Sequence, residues 1–244
     1  MITVTFALPI VHHLLPTRPK EANQSLMFPL PFNNYFELAA FIISVLCYPG
    51  LRGTPFRTFP FFLFFIILVE LTGRYISMVL YHPNAWLYNI STTLEFVYYA
   101  YIFGVHLKDP AFKKATSLFM IFYPILVLVN LLFIQGFFRF HSYTMVVGSV
   151  GMIIFCCLYF YDLLQDPREG DLLRDPMFWI STGVLFFYLG DLSYNLLFNL
   201  LQEYAANTGG KLFQSINNNL ILMLYSCFII AFLCRRNPRK SFSP

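Results

Sequence analysis

The apolar residues of this chain are gathered into long blocks, each closed by charged, proline- or glycine-containing residues. The blocks run from about Asn34 to Tyr48, Phe59 to Tyr81, Trp86 to Leu107, Ala115 to Gln135, Ser142 to Leu164, just after Pro176 to Gln202, and Leu212 to Cys234. A bilayer core about 30 Å thick takes roughly 20 mostly apolar residues per helix. Backbone in lipid must satisfy its hydrogen bonds within its own segment, so the blocks read as helices rather than open strands. Pro49-Gly50, His82-Pro83-Asn84, Lys108-Asp109-Pro110 and Arg235-Arg236 supply clear stops. The expectation is an all-α membrane fold, a seven-transmembrane-helix bundle over residues 34–234 whose first span is the shortest.

Composition removes the alternatives. The chain is 58% hydrophobic and only 11% charged over 244 residues, against about 25% charged for a soluble domain. A soluble protein of this size cannot hide so much apolar surface. An ordinary soluble enzyme, a disordered chain and a nucleic-acid binder are all excluded on this ground. Residues 1–33 differ from the rest and carry Pro9, Pro16, Pro19, Pro29 and Pro31. Their apolar piece Ile2–Ile10 is too short to span and lacks the basic lead of a cleaved signal peptide. They read as an extracytoplasmic arm or short interfacial helix, with a mobile tail as the alternative. Residues 235–244 read as a basic cytoplasmic tail.

Charge sets the orientation. The loops after spans one, three and five and the C-terminal tail hold Arg52, Arg57, Lys108, Lys113, Lys114, Arg168, Arg174, Arg235, Arg236, Arg239 and Lys240. The opposite face holds Arg18, Lys20, Arg139 and Lys211, and Arg74 lies within span two. Basic loops stay in the cytoplasm, which places the N-terminus outside and the C-terminus inside. Cys47, Cys156, Cys157, Cys227 and Cys234 all fall toward the inner side in this orientation, away from an oxidising compartment. They have no metal-ligand spacing and read as packing residues.

Two parts of the chain echo each other. Span three reads Asn89-Ile90-Ser91-Thr92-Thr93-Leu94-Glu95, then Tyr99-Ala100; span seven reads Ser215-Ile216-Asn217-Asn218-Asn219-Leu220-Ile221, then Tyr225-Ser226. Glu70-Leu71-Thr72 in span two matches Asp191-Leu192-Ser193 in span six in the same order. The pattern suggests a 3+1+3 parallel repeat with span four as the linker; repeats of this kind place transporter sites at their interface.

Ionisable residues inside spans are costly and face the bundle interior or a water-filled cavity. Here Glu37, Glu70, Arg74, Glu95 and Asp191 all lie at mid-depth or toward the outer side. Residues three and four apart share a helix face. That rule gives four stripes: Glu70, Arg74, Ser77 and Tyr81; Tyr88, Ser91, Thr92, Glu95 and Tyr99; Tyr188, Asp191, Asn195 and Asn199; and Gln214, Asn218 and Tyr225, with Ile221 interrupting the last. Converging stripes would form one outward-facing polar cavity, with Glu70, Arg74, Tyr88, Thr92, Glu95, Tyr99, Tyr188, Asp191, Asn195 and Asn218 as its ligand-binding residues. The alternative is interhelix packing glue, since Asn and Thr bond across helices and Glu70 and Arg74 are an i,i+4 pair. Glu70, Glu95 and Asp191 oppose one Arg74, so the surplus carboxyls must carry protons, meet water or meet a cation. Glu95 or Asp191 is therefore a candidate binder of a proton or cationic group.

Other chemistries find no footing. No lysine lies within a span to anchor a Schiff base. His12, His13, His82, His106 and His141 sit at ends or in loops, and no nucleophile motif or phosphate loop is present. No catalytic residue, metal site or cofactor is implied. Hydrolysis by Glu70, Glu95 and Asp191 remains an open chemistry, though binding is the preferred role. The connector Asp162–Asp175 mixes both charge signs and reads as solvated, with docking of a cytoplasmic partner as its alternative.

The runs Leu87-Tyr88-Asn89-Ile90 to Glu95-Phe96, Asp175-Pro176-Met177-Phe178-Trp179-Ile180-Ser181-Thr182-Gly183 and Ser215-Ile216-Asn217-Asn218-Asn219-Leu220 resemble a family of uncharacterised bacterial seven-helix membrane proteins. These are similar to the membrane modules associated with sensor histidine kinases. The resemblance covers spans two to seven and makes Asn89, Glu95, Trp179 and Asn218 shared positions. It implies a sensory or signalling-accessory role in the bacterial inner (plasma) membrane. With the chain ending at Pro244, soon after span seven, that role calls for a separate cytoplasmic or membrane signalling partner. The expected function is a multi-pass sensor or receptor-like protein binding a small molecule, ion or proton. A small-solute transporter of 3+1+3 layout is the first alternative and a structural subunit of a membrane complex the second.

Overall fold

The computed structural model describes residues 32–165, 172–201 and 209–236, with side chains described except for 194–201, 209–214 and 236. The expectations for residues 1–31, for 166–171 within the inner connector, for the side chains of Asn195, Asn199 and Gln214, and for the tail beyond Arg236 lie outside the described residues. The fold is all-helical, 88% helix, with no strand among the described residues. Among the described residues eight α-helices follow one another: α1 (Phe32–Leu46), the single turn α2 (Tyr48–Leu51), α3 (Phe59–Met78), α4 (Ala85–His106), α5 (Pro110–Val129), α6 (Ser142–Gln165), α7 (Pro176–Leu201) and α8 (Gly209–Arg236). Among the described residues, four stretches are long and apolar enough to cross a membrane: Pro55–Met78, Pro110–Ile134, Ser142–Gln165 and Ser215–Arg235.

Helix α1 shows why such a protein suits lipid. Its inward face buries Asn33, Asn34, Glu37, Ala40 and Ser44. Its outward face exposes Phe32, Tyr35, Leu38, Ile42, Val45 and Leu46. A water-soluble helix has the reverse arrangement, because apolar burial drives its folding. Helix α5 is more extreme: its most apolar window is only 11% buried, and Ile121, Phe122, Ile125, Leu128, Leu132 and Phe133 all point outward. Large apolar surface of this extent marks contact with lipid or another protein.

The ends of the helices follow local chemistry. Asp109 caps α5, its side chain accepting the Ala111 N–H at 2.7 Å, with Pro110 in the first turn. The helix therefore begins earlier than the sequence reading placed it, and Lys113 and Lys114 belong to its first turns rather than to a loop. Helix α3 stops at Met78, and Tyr81 beyond it adopts φ 54°, a left-handed conformation uncommon for a residue with a Cβ. The expected stripe Glu70–Arg74–Ser77–Tyr81 is consequently cut short, and Ser77 and Tyr81 are exposed. Pro124 lies inside α5, where it removes a backbone donor, and the helix passes into a π-turn at Asn130–Ile134.

Pairings between helix ends set α1 antiparallel to α3 and α4 parallel to α6. At one end Arg74 of α3 donates to Asn34 of α1 at 3.1 Å, and Asn89 of α4 donates to the Arg139 carbonyl before α6 at 2.8 Å. At the other end the Asp162 carboxylate of α6 accepts the Lys108 N–H after α4 at 2.7 Å. Between them lies an aromatic core in which Phe59, Phe96, Tyr99, Phe103, Tyr188, Tyr225, Phe228 and Phe232 are fully buried. Helix α8 packs against α7 and α1, and α4 packs against α3, α5 and α6. In α8, Phe228 meets the Phe59 ring of α3 edge-on at 5.5 Å, a favourable geometry for the ring quadrupoles.

Candidate functional site

The most polar part of the interior is built by helices α1, α3, α4 and α7. Glu37, Glu70, Glu95 and Asp191 are 2%, 2%, 2% and 7% exposed. Each comes from a different helix, and each sits on the inward stripe of its element. They are linked through shared neighbours: Glu37 and Glu95 act on each other, Glu37, Glu70 and Glu95 all act electrostatically on the Tyr225 hydroxyl of α8, and Glu95 and Asp191 both act on Tyr188. Arg74 is the guanidinium that acts on Glu37 and Tyr88.

Hydrogen bonds give the cluster its shape. The Tyr188 hydroxyl donates to Glu95 Oε1 at 3.2 Å. Ser149 of α6 donates to Asp191 Oδ2 at 3.4 Å. Arg74, half-buried, reaches from α3 to Asn34 of α1. The deeply buried polar atoms without a hydrogen-bond partner among the described residues include Glu37 Oε1 and the Tyr99 hydroxyl. Both lie within electrostatic reach of Glu95. A close approach on α3 completes this side, since a Cβ at Gly73 would collide with the Tyr88 ring. Gly73 therefore lets the hydroxyl end of Tyr88 come close to α3.

Of the residues expected at one site, Glu70, Arg74 and Tyr88 interact between α3 and α4, and Glu95, Tyr99, Tyr188 and Asp191 interact between α4 and α7, with Tyr225 of α8 in reach of both sets. Thr92 goes elsewhere: it lines a crevice of about 10 Å³ with Asn89, Tyr123, His141 and Thr144, room for about one water. Asn218 is half-buried on α8, with no described bond to the cluster. Asn195 has no described side chain. Glu37, Asn34 and Tyr225 join the cluster without having been counted as site residues. The signal for Glu37 was its position, with Asn33, Asn34, Ala40 and Ser44, on a polar face of an otherwise apolar helix.

Asn89 serves the loop before α6. Its Oδ1 accepts the His141 N–H at 3.1 Å while its Nδ2 donates to the Arg139 carbonyl. Tyr123 donates to the Thr144 carbonyl, and Thr144 donates to that of His141. This network ties α4, α5 and α6 at one end. A second cavity, of about 210 Å³, opens at the opposite end between His106, Lys108, Tyr159, Asp162, Leu163, Asp175 and Met177. The limits of the expected solvated connector are ordered rather than loose. Asp162 is buried in α6, and Asp175 accepts both the Tyr159 hydroxyl and the Met177 N–H at the start of α7. Trp179 donates to the Leu173 carbonyl at 2.8 Å, also at this end.

No metal-type grouping of three or more His, Cys, Asp or Glu occurs among the described residues. The five cysteines are free thiols. No known family, curated protein or solved structure matches the chain.

Proposed function

We propose that this protein is a multi-pass sensor or receptor-like membrane protein that binds a small ligand or ion at the Glu37–Glu70–Glu95–Asp191 cluster and signals through a separate partner. The observation that carries the reading is four buried carboxyls, one from each of α1, α3, α4 and α7, with Glu37 in reach of Arg74 and Glu95, and Glu95 and Asp191 sharing Tyr188. A structural core gains little from such a group, because well-packed apolar residues replace buried charge at no cost or with a gain. A binding site does gain, since its occupant exchanges charge with four helices at once. Differential affinity for two helix arrangements then shifts their balance.

In this reading the seven longer helices span the inner membrane with the carboxylate end facing outward, following the loop charges. The opposite end carries Lys108, Arg174 and the ordered Asp162 and Asp175, and presents the surface to a partner. The 3+1+3 repeat belongs to the transporter reading. That alternative draws support from the 210 Å³ cavity, because α4 supplies Glu95 at its middle and His106, which lines the cavity, at its end.

The test uses the full chain in lipid nanodiscs, with spin labels at Ser117 and Leu172 substituted by cysteine in a background lacking the native cysteines. Label distances are measured across pH and with sodium, potassium or tetramethylammonium chloride. A distance shift that disappears in the Glu95→Gln, Asp191→Asn double variant supports the sensor. An identical distance distribution under every condition removes it. Uptake of one of these cations into liposomes, absent in the double variant, would select the transporter instead.

A further inference from the structure

The cluster's occupant follows from its charge and its packing. Fully ionised, it would set four carboxylates against the guanidinium of Arg74, among the described residues. Buried unbalanced charge of that size is not sustained; the groups neutralise instead. Three kinds of occupant supply positive charge: a metal ion, an organic cation or protons.

A metal ion needs three or more ligands drawn to one point, and no such grouping exists among the described residues. An organic cation needs volume. Neither the crevice at Asn89 nor the cavity at Asp162 borders Glu37, Glu70, Glu95 or Asp191. The Phe96, Tyr99, Tyr188, Tyr225 and Phe228 rings, all fully buried, pack on one another beside Glu95, which the Tyr188 hydroxyl contacts. A proton needs neither convergence nor room.

Hydrogen bonding identifies the place. Glu95 accepts from Tyr188, and Asp191 accepts from Ser149. Glu37 is 2% exposed, and its Oε1 has no hydrogen-bond partner. An ionised carboxylate with an empty acceptor is the costlier state here, whereas a carboxylic acid loses less. The described groups that interact with Glu37 are Arg74 on α3, Tyr88 and Glu95 on α4, and Tyr225 on α8; Glu70 shares Tyr88 and Tyr225 with it, and Asp191 lies one step further, beyond Glu95 and Tyr188. We infer that the occupant of the cluster is the proton, and that Glu37 is a proton-carrying carboxyl of the site, exchanging with the aqueous phase at the Asn34–Arg74 end of the bundle.

This rests on the cluster being the functional site, but its test needs no helix movement. Infrared spectra are recorded on the full chain in nanodiscs, without added ligand, from mildly acidic to mildly alkaline pH. The wild-type protein is expected to show the carbonyl stretch of a buried carboxylic acid, shifting in deuterated buffer. Glu37→Gln should lose one such component, and Glu37→Asp should keep it at a displaced frequency. If no acid band appears at any pH, or if the band is the same in both variants, the proton assignment is overturned. Where Glu37→Gln fails to fold, Glu37→Asp alone decides by the frequency. An acid band present without any change in label distances would leave this inference standing and remove the sensor. Label distances that answer only to sodium or tetramethylammonium, with no acid band, would do the opposite.

Discussion

The Tyr188 hydroxyl of α7 donates to Glu95 of α4 at 3.2 Å, entirely within the interior. The strength of this contact reports the charge on Glu95. A hydrogen bond to an ionised group contributes about 1.5–3 kcal/mol, whereas side-chain bonds within membrane proteins average about 0.6 kcal/mol. If Glu95 is neutral, a double-mutant cycle of Tyr188→Phe and Glu95→Gln, read by thermal unfolding in detergent, should give the smaller value. If Glu95 is ionised, the coupling should reach the larger one and fall as the pH is lowered.

The architecture was legible because it rests on local physics. Apolar blocks and proline stops each act on a few neighbouring residues, and they point to an all-helical fold with helices apolar enough to cross a membrane. The polar stripes were legible for the same reason: Tyr88, Glu95 and Tyr99 share a face whatever surrounds them. The breaks in the pattern came from tertiary contacts. Thr92 lies on that stripe by spacing, but Asn89, Tyr123 and His141 form a separate crevice around it. Tyr81 was extrapolated along a helix that ends three residues earlier. Asp162 looked like a loop residue, yet its partner is a backbone N–H more than fifty positions away in sequence.

Asn89 predicts a mechanical phenotype rather than a binding one. Its amide satisfies two backbone groups of the Arg139–His141 segment. Asn89→Leu leaves a buried N–H and C=O unpaired, at about 1–3 kcal/mol each before relaxation. Hydrogen exchange should accelerate at residues 139–141, with the infrared signature of the carboxyl cluster unchanged. Loss of that signature with an intact loop would mean that Asn89 serves the site directly.

Gly73 separates tolerance of volume from tolerance of charge. A Cβ here meets the Tyr88 ring, and inserting a methylene into packed structure costs typically 1–3 kcal/mol. Gly73→Ala should therefore lower the unfolding temperature, and Tyr88→Ala in the same chain should recover part of the loss. Additive effects of the two substitutions would show that the ring is not held against α3.

At the far end, Asp162 accepts the Lys108 N–H at 2.7 Å and approaches the Asp109 N–H at 3.4 Å, joining α6 to the link between α4 and α5. Asp162→Asn retains a carbonyl acceptor and should be mild. Asp162→Ala removes it and exposes a donor next to a cavity that water can enter, so the cost should fall toward the lower end of about 1–3 kcal/mol. Thermal unfolding of the two variants, with exchange measured at residues 107–110, checks the order. Equal behaviour of the two would place the stabilisation in packing of the side chain and not in its bond.

The outward face of α5 decides whether these helices lie in lipid. Phe122 is 61% exposed, and on a water-soluble surface Phe122→Arg would change stability by no more than about 0.5 kcal/mol. At the centre of a membrane-spanning helix the same change costs roughly 2.5–3.5 kcal/mol on the insertion scale. Ser117, also exposed, lies close to Lys113 and Lys114 near the helix start, where an arginine can extend to the headgroups. Membrane-fraction yield should therefore drop sharply for Phe122→Arg and hold for Ser117→Arg. Equal yields for the two variants, with the protein recovered from the soluble fraction, would show that α5 faces water or another protein instead of lipid. The exposed Ile42, Val45 and Leu46 of α1 would then need the same reassignment, because they depend on the same lipid to cover them.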